Sequence, residues 1–176
     1  AVRTFSTVLH LMRQYPDYCF MHSAPQAYKF LAADHPGLFE QVKARISGGR
    51  WEVTGGMWVE ADTNLVGSES LVRQFVYGMR YVREEFGVDM RVLWLPDVFG
   101  YSYALPQVAV GSGIRYFVTS KISWSQFNRF PYDTFRWRGL DGTELLTHFV
   151  TTPETENPSS AATYNGQLTP REVRGI

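Results

Sequence analysis

Short apolar runs alternate with longer stretches of helical periodicity along most of this chain, and that alternation limits the folds open to it. Tyr18-Cys19-Phe20-Met21, Trp51-Glu52-Val53, Met90 to Leu95 and Tyr116-Phe117-Val118-Thr119 are too short for helices and rich in aromatic or branched side chains, so they read as strands. Between them, apolar residues recur three and four apart. Phe5, Val8, Leu9, Leu11 and Met12 mark a first helix. Pro25 to Ile46, broken at His35-Pro36-Gly37, marks a second helical region whose later half starts well at Pro36. Ser68 to Phe86, with Leu71, Val72, Phe75, Met79 and Val82 on one face, marks a third that Gly67-Ser68-Glu69 is placed to cap. A further helix is expected from about Ala104 to Gly111, capped by Gly111-Ser112-Gly113. Strand, helix and strand joined by short connections predict parallel βαβ units and an α/β fold. Four or five such strands cannot close an eight-stranded barrel, so the sheet is either open or a section of a larger barrel.

Two later runs, Phe135-Arg136-Trp137 and Leu145 to Val150, flank the turn Leu140-Asp141-Gly142 and read as further strands. From Thr151 to Pro170 the chain is rich in Thr, Pro, Ser, Asn and Gly, which predicts a long loop.

Composition removes several function classes. With 44% hydrophobic residues in 176, the chain can build a real core. Seventeen basic residues balance seventeen acidic ones, which leaves no electrostatic footprint for nucleic acid or an anionic membrane. No stretch approaches the roughly 20 apolar residues that span a bilayer. The single cysteine, Cys19, rules out an intrachain disulfide framework, and its neighbours Tyr18, Phe20 and Met21 predict a buried structural thiol. The chain opens without methionine and directly in a helical pattern, so residues 1–176 read as one segment of something longer, incomplete at both ends.

The most pointed feature is Trp94-Leu95-Pro96-Asp97-Val98-Phe99-Gly100-Tyr101-Ser102, an acid in an aromatic turn directly after an apolar strand. Pro96 stops the strand, so Asp97 falls at its carboxyl end, the edge where α/β folds build their sites. Trp94, Phe99 and Tyr101 would desolvate the carboxylate, a cost that a metal ion or a basic partner would offset. Asp97 is therefore either an active-site carboxylate or a cap for the helix that begins near Ser102 to Tyr103.

Glu60 and Asp62 stand at the exit of the Trp51 strand, behind Gly55-Gly56-Met57-Trp58-Val59, with Asn64 and Arg73 as candidate partners. Paired carboxylates serve glycoside cleavage and are also hard ligands for a metal; the alternative is a solvated loop or a cap. Of the histidines, His22 lies at a strand end, and His148 in an apolar run reads as a satisfied core residue. No H-x-D, H-E-x-x-H or C-x-x-C pair is present, and the glycine-rich nucleotide motifs and the G-x-S-x-G elbow are also absent.

These motifs resemble glycoside hydrolase family 38, the retaining, metal-dependent α-mannosidases. Gly48-Gly49-Arg50-Trp51-Glu52, Gly55 to Asp62 with Asn64-Leu65, Glu69 to Gln74, Trp94 to Ser102 and Leu105-Pro106-Gln107 stand in the family's order and spacing from about Phe20 to Phe149. Their wording is most similar to the cytosolic or vacuolar and bacterial branch. The resemblance implies a partial (β/α)7 barrel, α-mannoside glycans as substrate, a cytoplasmic setting and one zinc ion. It makes Asp97 both the nucleophile that forms a glycosyl-enzyme intermediate and a zinc ligand. It further offers Trp58, Asp62, Lys121 and Tyr164 as sugar-binding residues, Lys121 because some relatives carry arginine there close to the site. The family's remaining zinc ligands and its acid/base aspartate have no counterpart in this chain, so the segment alone is expected to be inactive. An isolated barrel segment would also expose apolar edges, which predicts self-association into a homo-oligomer or a completing partner. Two other classes stay open at this point: a non-catalytic carbohydrate-binding or scaffolding module, and a metal-dependent polysaccharide deacetylase.

Overall fold

The computed structural model describes residues 1–123, 128 and 130–150, and its elements follow the alternation in the sequence. They are α1 (Val2–Gln14), β1 (Phe20–His22), α2 (Pro25–Asp34), α3 (Pro36–Ser47), β2 (Trp51–Val53), α4 (Ser68–Phe86), β3 (Val92–Trp94), α5 (Leu105–Gly111), β4 (Tyr116–Thr119), a 3₁₀ turn (Lys121–Ser123), β5 (Thr134–Arg138) and β6 (Glu144–Phe149). The expected loop from Thr151 to Pro170, and Tyr164 within it, lie outside the described residues.

β1 and β2 pair in parallel, Phe20 beside Trp51 and His22 beside Val53. β3, β4 and β6 form a second parallel set, with β5 antiparallel on the outer side of β6. Immediately after β2 the Gly55 N–H donates to Val92 O at 3.3 Å, which links the two sheets at the start of β3. The antiparallel β5 departs from an all-parallel sheet for a local reason. Asp141 accepts both the backbone N–H and the hydroxyl of Thr143, at 2.9 and 2.7 Å, and closes a turn too tight for anything but a hairpin.

Two apolar clusters hold the layers together. Phe5, Val8, Leu9 and Met12 of α1 meet Tyr28, Leu31, Phe39 and Val42 of α2 and α3 over Trp51 and Val53 of β2. Met57, Leu71 and Phe75 meet Leu93, Leu95, Leu105, Ala109, Ile114 and Phe117 in the other. On α4 the buried stripe is Leu71, Phe75, Gly78 and Val82. Val72, predicted on that face, is 40% exposed. The cap expected from Ser68 and Glu69 does not form: Gly67 precedes the helix and no side chain caps it.

Arg50, from the Gly48-Gly49-Arg50 motif, joins β2 to α1. One of its guanidinium nitrogens donates to the carbonyls of Met12, Tyr15 and Tyr18, at 3.0, 2.7 and 3.1 Å. The end of a helix leaves carbonyls without partners, and here an arginine 35 residues on from Tyr15 supplies them. The expectation of a buried Cys19 fails. Cys19 is exposed, with its Sγ 3.6 Å from Asp17 O, because the run alternates: Tyr18, Phe20 and His22 turn inward while Cys19 and Met21 turn out.

Candidate active site

β3 and β4 run parallel, so Leu95-Pro96-Asp97 and Ser120-Lys121 leave the sheet side by side at its carboxyl edge. That adjacency brings Lys121 Nζ to 2.8 Å from Asp97 Oδ1. The lysine side chain is 20% exposed and the aspartate 60%, so the pair opens outward with the aspartate on the solvent side. Lys121 Nζ also stands 4.4 Å from the centre of the Phe99 ring, a cation–π arrangement.

The aromatic neighbours do not bury Asp97 as the sequence implied. Phe99 is 77% exposed and Trp94 only half-buried. The Tyr101 ring turns into the core, edge-on to Phe117 at 4.8 Å. Nor does Asp97 cap a helix: α5 begins at Leu105 with Ala104 as its cap residue and no capping side chain, and Ser102 Oγ accepts the Ala104 N–H in the turn before it at 3.3 Å.

Four hydroxyls brace the turn that carries Asp97. Tyr101 Oη donates to Leu95 O at 2.8 Å and lies 2.6 Å from Thr119 Oγ1. Ser120 Oγ donates to Pro96 O at 3.0 Å. Thr63 Oγ1, on the segment that leaves β2, accepts the Ser102 N–H at 2.8 Å. Thr63, Thr119 and Ser120 are all buried, and no sequence signal marked them, since a hydroxyl in a buried strand end looks like any other.

The segment from Gly55 to Asp62 is shaped by close approach. A Cβ on Gly55, whose φ is +108°, would lie 2.8 Å from Ser23 Cβ, so only glycine lets the exits of β1 and β2 touch. Ser23 Oγ then donates to Glu60 Oε1 at 2.7 Å. Asp62 Oδ1 accepts the Asn64 N–H at 2.9 Å, the loop-capping geometry. Arg73, offered as a partner for these acids, is engaged by Glu69 one turn away at 2.8 Å. The Trp58 ring packs edge-on against Tyr81 of α4 at 5.5 Å, with Lys29 Nζ 5.7 Å from it, in the helical layer. Of the predicted sugar-binding set, the structure thus brings Lys121 to Asp97; it places Trp58 against α2 and α4 and Asp62 in its own turn.

His148 is half-buried, and its Nδ1 meets Thr134 Oγ1 across the hairpin at 2.8 Å, so it is satisfied. His22 sits among Phe5, Phe20 and Tyr28, and burial pulls its pKa down to about 4, with the Ala1 amino group adding to the shift.

No three His, Cys, Asp or Glu side chains among the described residues are grouped to hold a metal ion. Asp97 offers a single hard oxygen donor there, short of the four ligands a structural zinc takes or the three protein ligands of an open catalytic one. The described residues therefore do not by themselves make a zinc site. Nor is any helix among them long and apolar enough to cross a membrane.

The profile of the glycosyl hydrolases family 38 N-terminal domain matches residues 1–174. The chain belongs to this family. Alpha-mannosidase G of Dictyostelium discoideum is 43% identical over 171 residues, covering 97% of this chain and 15% of its own length. An alpha-mannosidase of Saccharomyces cerevisiae (strain ATCC 204508 / S288c) is 45% identical over 148 residues, covering 84% of this chain and 14% of its own length. The family 38 segment thus spans about 15% of the length of the curated relatives it matches. In fold it is similar to a solved alpha-mannosidase from Enterococcus faecalis V583, with a TM-score of 0.71 at 20% identity, covering 82% of this chain and 16% of that one. A family 38 match over almost the whole chain sets aside the deacetylase alternative.

Proposed function

We propose that this segment supplies the nucleophile-bearing wall of the active site in a retaining, zinc-dependent exo-α-mannosidase that removes terminal α-mannosides from glycans or oligosaccharides. The observation that carries the reading is Asp97 itself: an outward-facing carboxylate at the carboxyl end of a parallel strand, held at one oxygen by Lys121 and braced from three sides. A nucleophile needs this combination of access and fixed aim, whereas a helix cap or surface acid needs neither.

In the first step a carboxylate oxygen of Asp97 attacks the anomeric carbon. The glycosidic C–O bond breaks as the new ester bond forms, and the leaving oxygen takes a proton from an acid elsewhere in the longer polypeptide. Water then attacks the same carbon from the face that the leaving group vacated, giving a proton back to the acid that was deprotonated in the first step, and Asp97 departs as carboxylate, so two inversions retain configuration. Lys121 holds Asp97 during the attack and can bond a sugar hydroxyl when the sugar enters. Zinc, with Asp97 as one ligand and the rest contributed from elsewhere, would bind sugar hydroxyls and orient the ring. Asp62, Trp58 and Tyr164 stay secondary candidates for sugar contact. The strand order suits a section of a (β/α)7 barrel, and the motif wording favours a cytoplasmic enzyme. The sheet edges of such a section suit a homo-oligomer or a completing partner.

The test is made on the complete enzyme. Incubation with a fluorinated mannosyl fluoride that slows the second step should leave a sugar adduct on the peptide containing Trp94 to Ser102, and Asp97→Asn should abolish both the adduct and turnover of an aryl α-mannoside. An adduct on another peptide, or turnover at the normal rate in Asp97→Asn, overturns the assignment, and no adduct at all would favour a non-catalytic module.

A further inference from the structure

The Tyr101 hydroxyl is one of the points where the two halves of the Asp97–Lys121 pair are tied together; the bond from Ser120 Oγ to Pro96 O at 3.0 Å is another. Asp97 lies on the loop between Leu95 and Tyr101, and Tyr101 closes that loop on itself by donating to Leu95 O at 2.8 Å. Lys121 lies two residues after Thr119, and Thr119 Oγ1 lies 2.6 Å from the same hydroxyl. A phenol has one proton, and Leu95 O can only accept, so Tyr101 gives its proton to Leu95 and Thr119 gives its own to Tyr101. The hydroxyl relay therefore runs from the end of β4, which leads into Lys121, to the end of β3, which leads into Asp97.

Both ends of this relay are fixed. Thr119 is 0% exposed, and its carbonyl accepts the N–H of Val150, the residue after β6, at 2.7 Å. The Tyr101 ring packs against Phe117 at 4.8 Å and Trp137 at 6.5 Å. Leu95 is also fully buried, and its N–H continues the β3–β4 ladder to Val118 O at 3.2 Å. Asp97 and Lys121, by contrast, sit on the short turns beyond these anchors. Their 2.8 Å separation depends on how those two turns are indexed against each other.

We infer that Tyr101, acting with Thr119, is a positioning residue for the reaction: its hydroxyl sets the distance between the Asp97 nucleophile and Lys121 without touching the sugar. The inference rests on the reading of Asp97 as nucleophile. Misplacement of a reacting group by about 1 Å can cost on the order of a hundredfold in rate, so loss of a single hydroxyl behind the site is enough to be seen.

The experiment uses the complete, metal-loaded enzyme and an aryl α-mannoside, with kcat and KM measured well below the unfolding temperature of each variant. Tyr101→Phe and Thr119→Val remove one hydroxyl each at nearly constant volume, and Thr119→Ser keeps the hydroxyl while losing a methyl. The expected result is a roughly tenfold to hundredfold fall in kcat for Tyr101→Phe and Thr119→Val with KM little changed, and near-normal kcat for Thr119→Ser. Normal kcat in the two hydroxyl-deleted variants overturns the inference. So does equal loss in Thr119→Ser and Thr119→Val, which would mean packing, or loss that only follows the fraction of enzyme folded. Asp97→Asn, measured alongside, separates the two levels. If that variant turns over normally the nucleophile reading falls and the inference with it. If it is inactive while Tyr101→Phe is normal, the inference alone falls.

Discussion

Gly78 lies in the middle of α4, where helix propensity alone says that alanine would be better by about 0.8–1.0 kcal/mol. Packing reverses the sign. A Cβ on Gly78 would stand 2.5 Å from the carbonyl carbon of Met57, 2.7 Å from Trp58 N and 2.9 Å from Met57 O. These are backbone atoms and cannot rotate away. The peptide they belong to and the next are each held by α4 itself, since Trp58 N–H donates to Gln74 O at 2.8 Å and Val59 N–H to Gln74 Oε1 at 3.0 Å. Met57 is 2% exposed and cannot retreat into solvent either. Relief therefore means moving α4 away by close to an ångström and stretching both bonds. Overpacking of this kind costs about 1–3 kcal/mol and the two weakened hydrogen bonds about 1 kcal/mol each, so after the propensity gain Gly78→Ala should be net destabilising by roughly 2–4 kcal/mol.

Gly111 provides the internal control. It is also helical, in the last turn of α5, but nothing stands within 4 Å of its added Cβ. Gly111→Ala should stabilise by up to about 1 kcal/mol. Equilibrium urea unfolding of the two variants and the parent chain reads the difference: at a slope of about 1–3 kcal/mol/M, Gly78→Ala should lower the midpoint by about 1 M and Gly111→Ala should raise it slightly. A raised midpoint for Gly78→Ala would refute the close-approach argument. It would also mean that α4 does not seat the segment running to Thr63 and the Asp97 turn through this contact.

Three further outcomes are expected. Arg50→Met keeps the aliphatic stem but strands the carbonyls of Met12, Tyr15 and Tyr18, and should cost about 2–3 kcal/mol in the same unfolding assay; a neutral result would mean water satisfies that helix end. His22 has its folded-state pKa lowered from 6.5 to about 4, so its stabilising contribution is present above pH 6.5 and is lost as pH falls toward 4, by on the order of 3 kcal/mol for an isolated group. The difference in unfolding free energy between the parent and His22→Phe should shift by that order between pH 7 and pH 4, and a pH-independent difference would show that burial does not hold the ring neutral. The 176-residue chain alone should release no product from an aryl α-mannoside even with added zinc, and steady turnover would show that the missing ligands and acid are not needed.

What could be read from the sequence was whatever depends on local periodicity. α4 runs from Ser68 to Phe86 as its apolar spacing predicts, and β2 and β4 match their apolar runs residue for residue. Failures occur where a neighbour decides. Cys19 is apolar in its company but faces out because the run leading into β1 alternates, and Val72 lies beside the stripe Leu71, Phe75, Gly78 and Val82 that α4 buries. The carboxyl end of β3 was legible from Pro96 and Asp97, but the exposure of Asp97 was not, since only the structure shows Tyr101 turned inward to Phe117 and Phe99 turned out.

The separated motifs hold their register for a physical reason that the site makes visible. Gly55 lets the exits of β1 and β2 touch at Ser23, and Gly78 lets α4 seat the next three residues. That seating delivers Thr63 to the Ser102 amide, and Ser102 ends the turn that bears Asp97. On the other side, Thr119 and Ser120 deliver β4 to Tyr101 and Pro96, and so deliver Lys121 to Asp97. An insertion of one residue between Gly56 and Thr63 would leave both strands and both helices intact and still misplace the carboxylate. The spacing of these motifs is therefore a constraint imposed by one turn, read out at 2.8 Å between an aspartate oxygen and a lysine nitrogen.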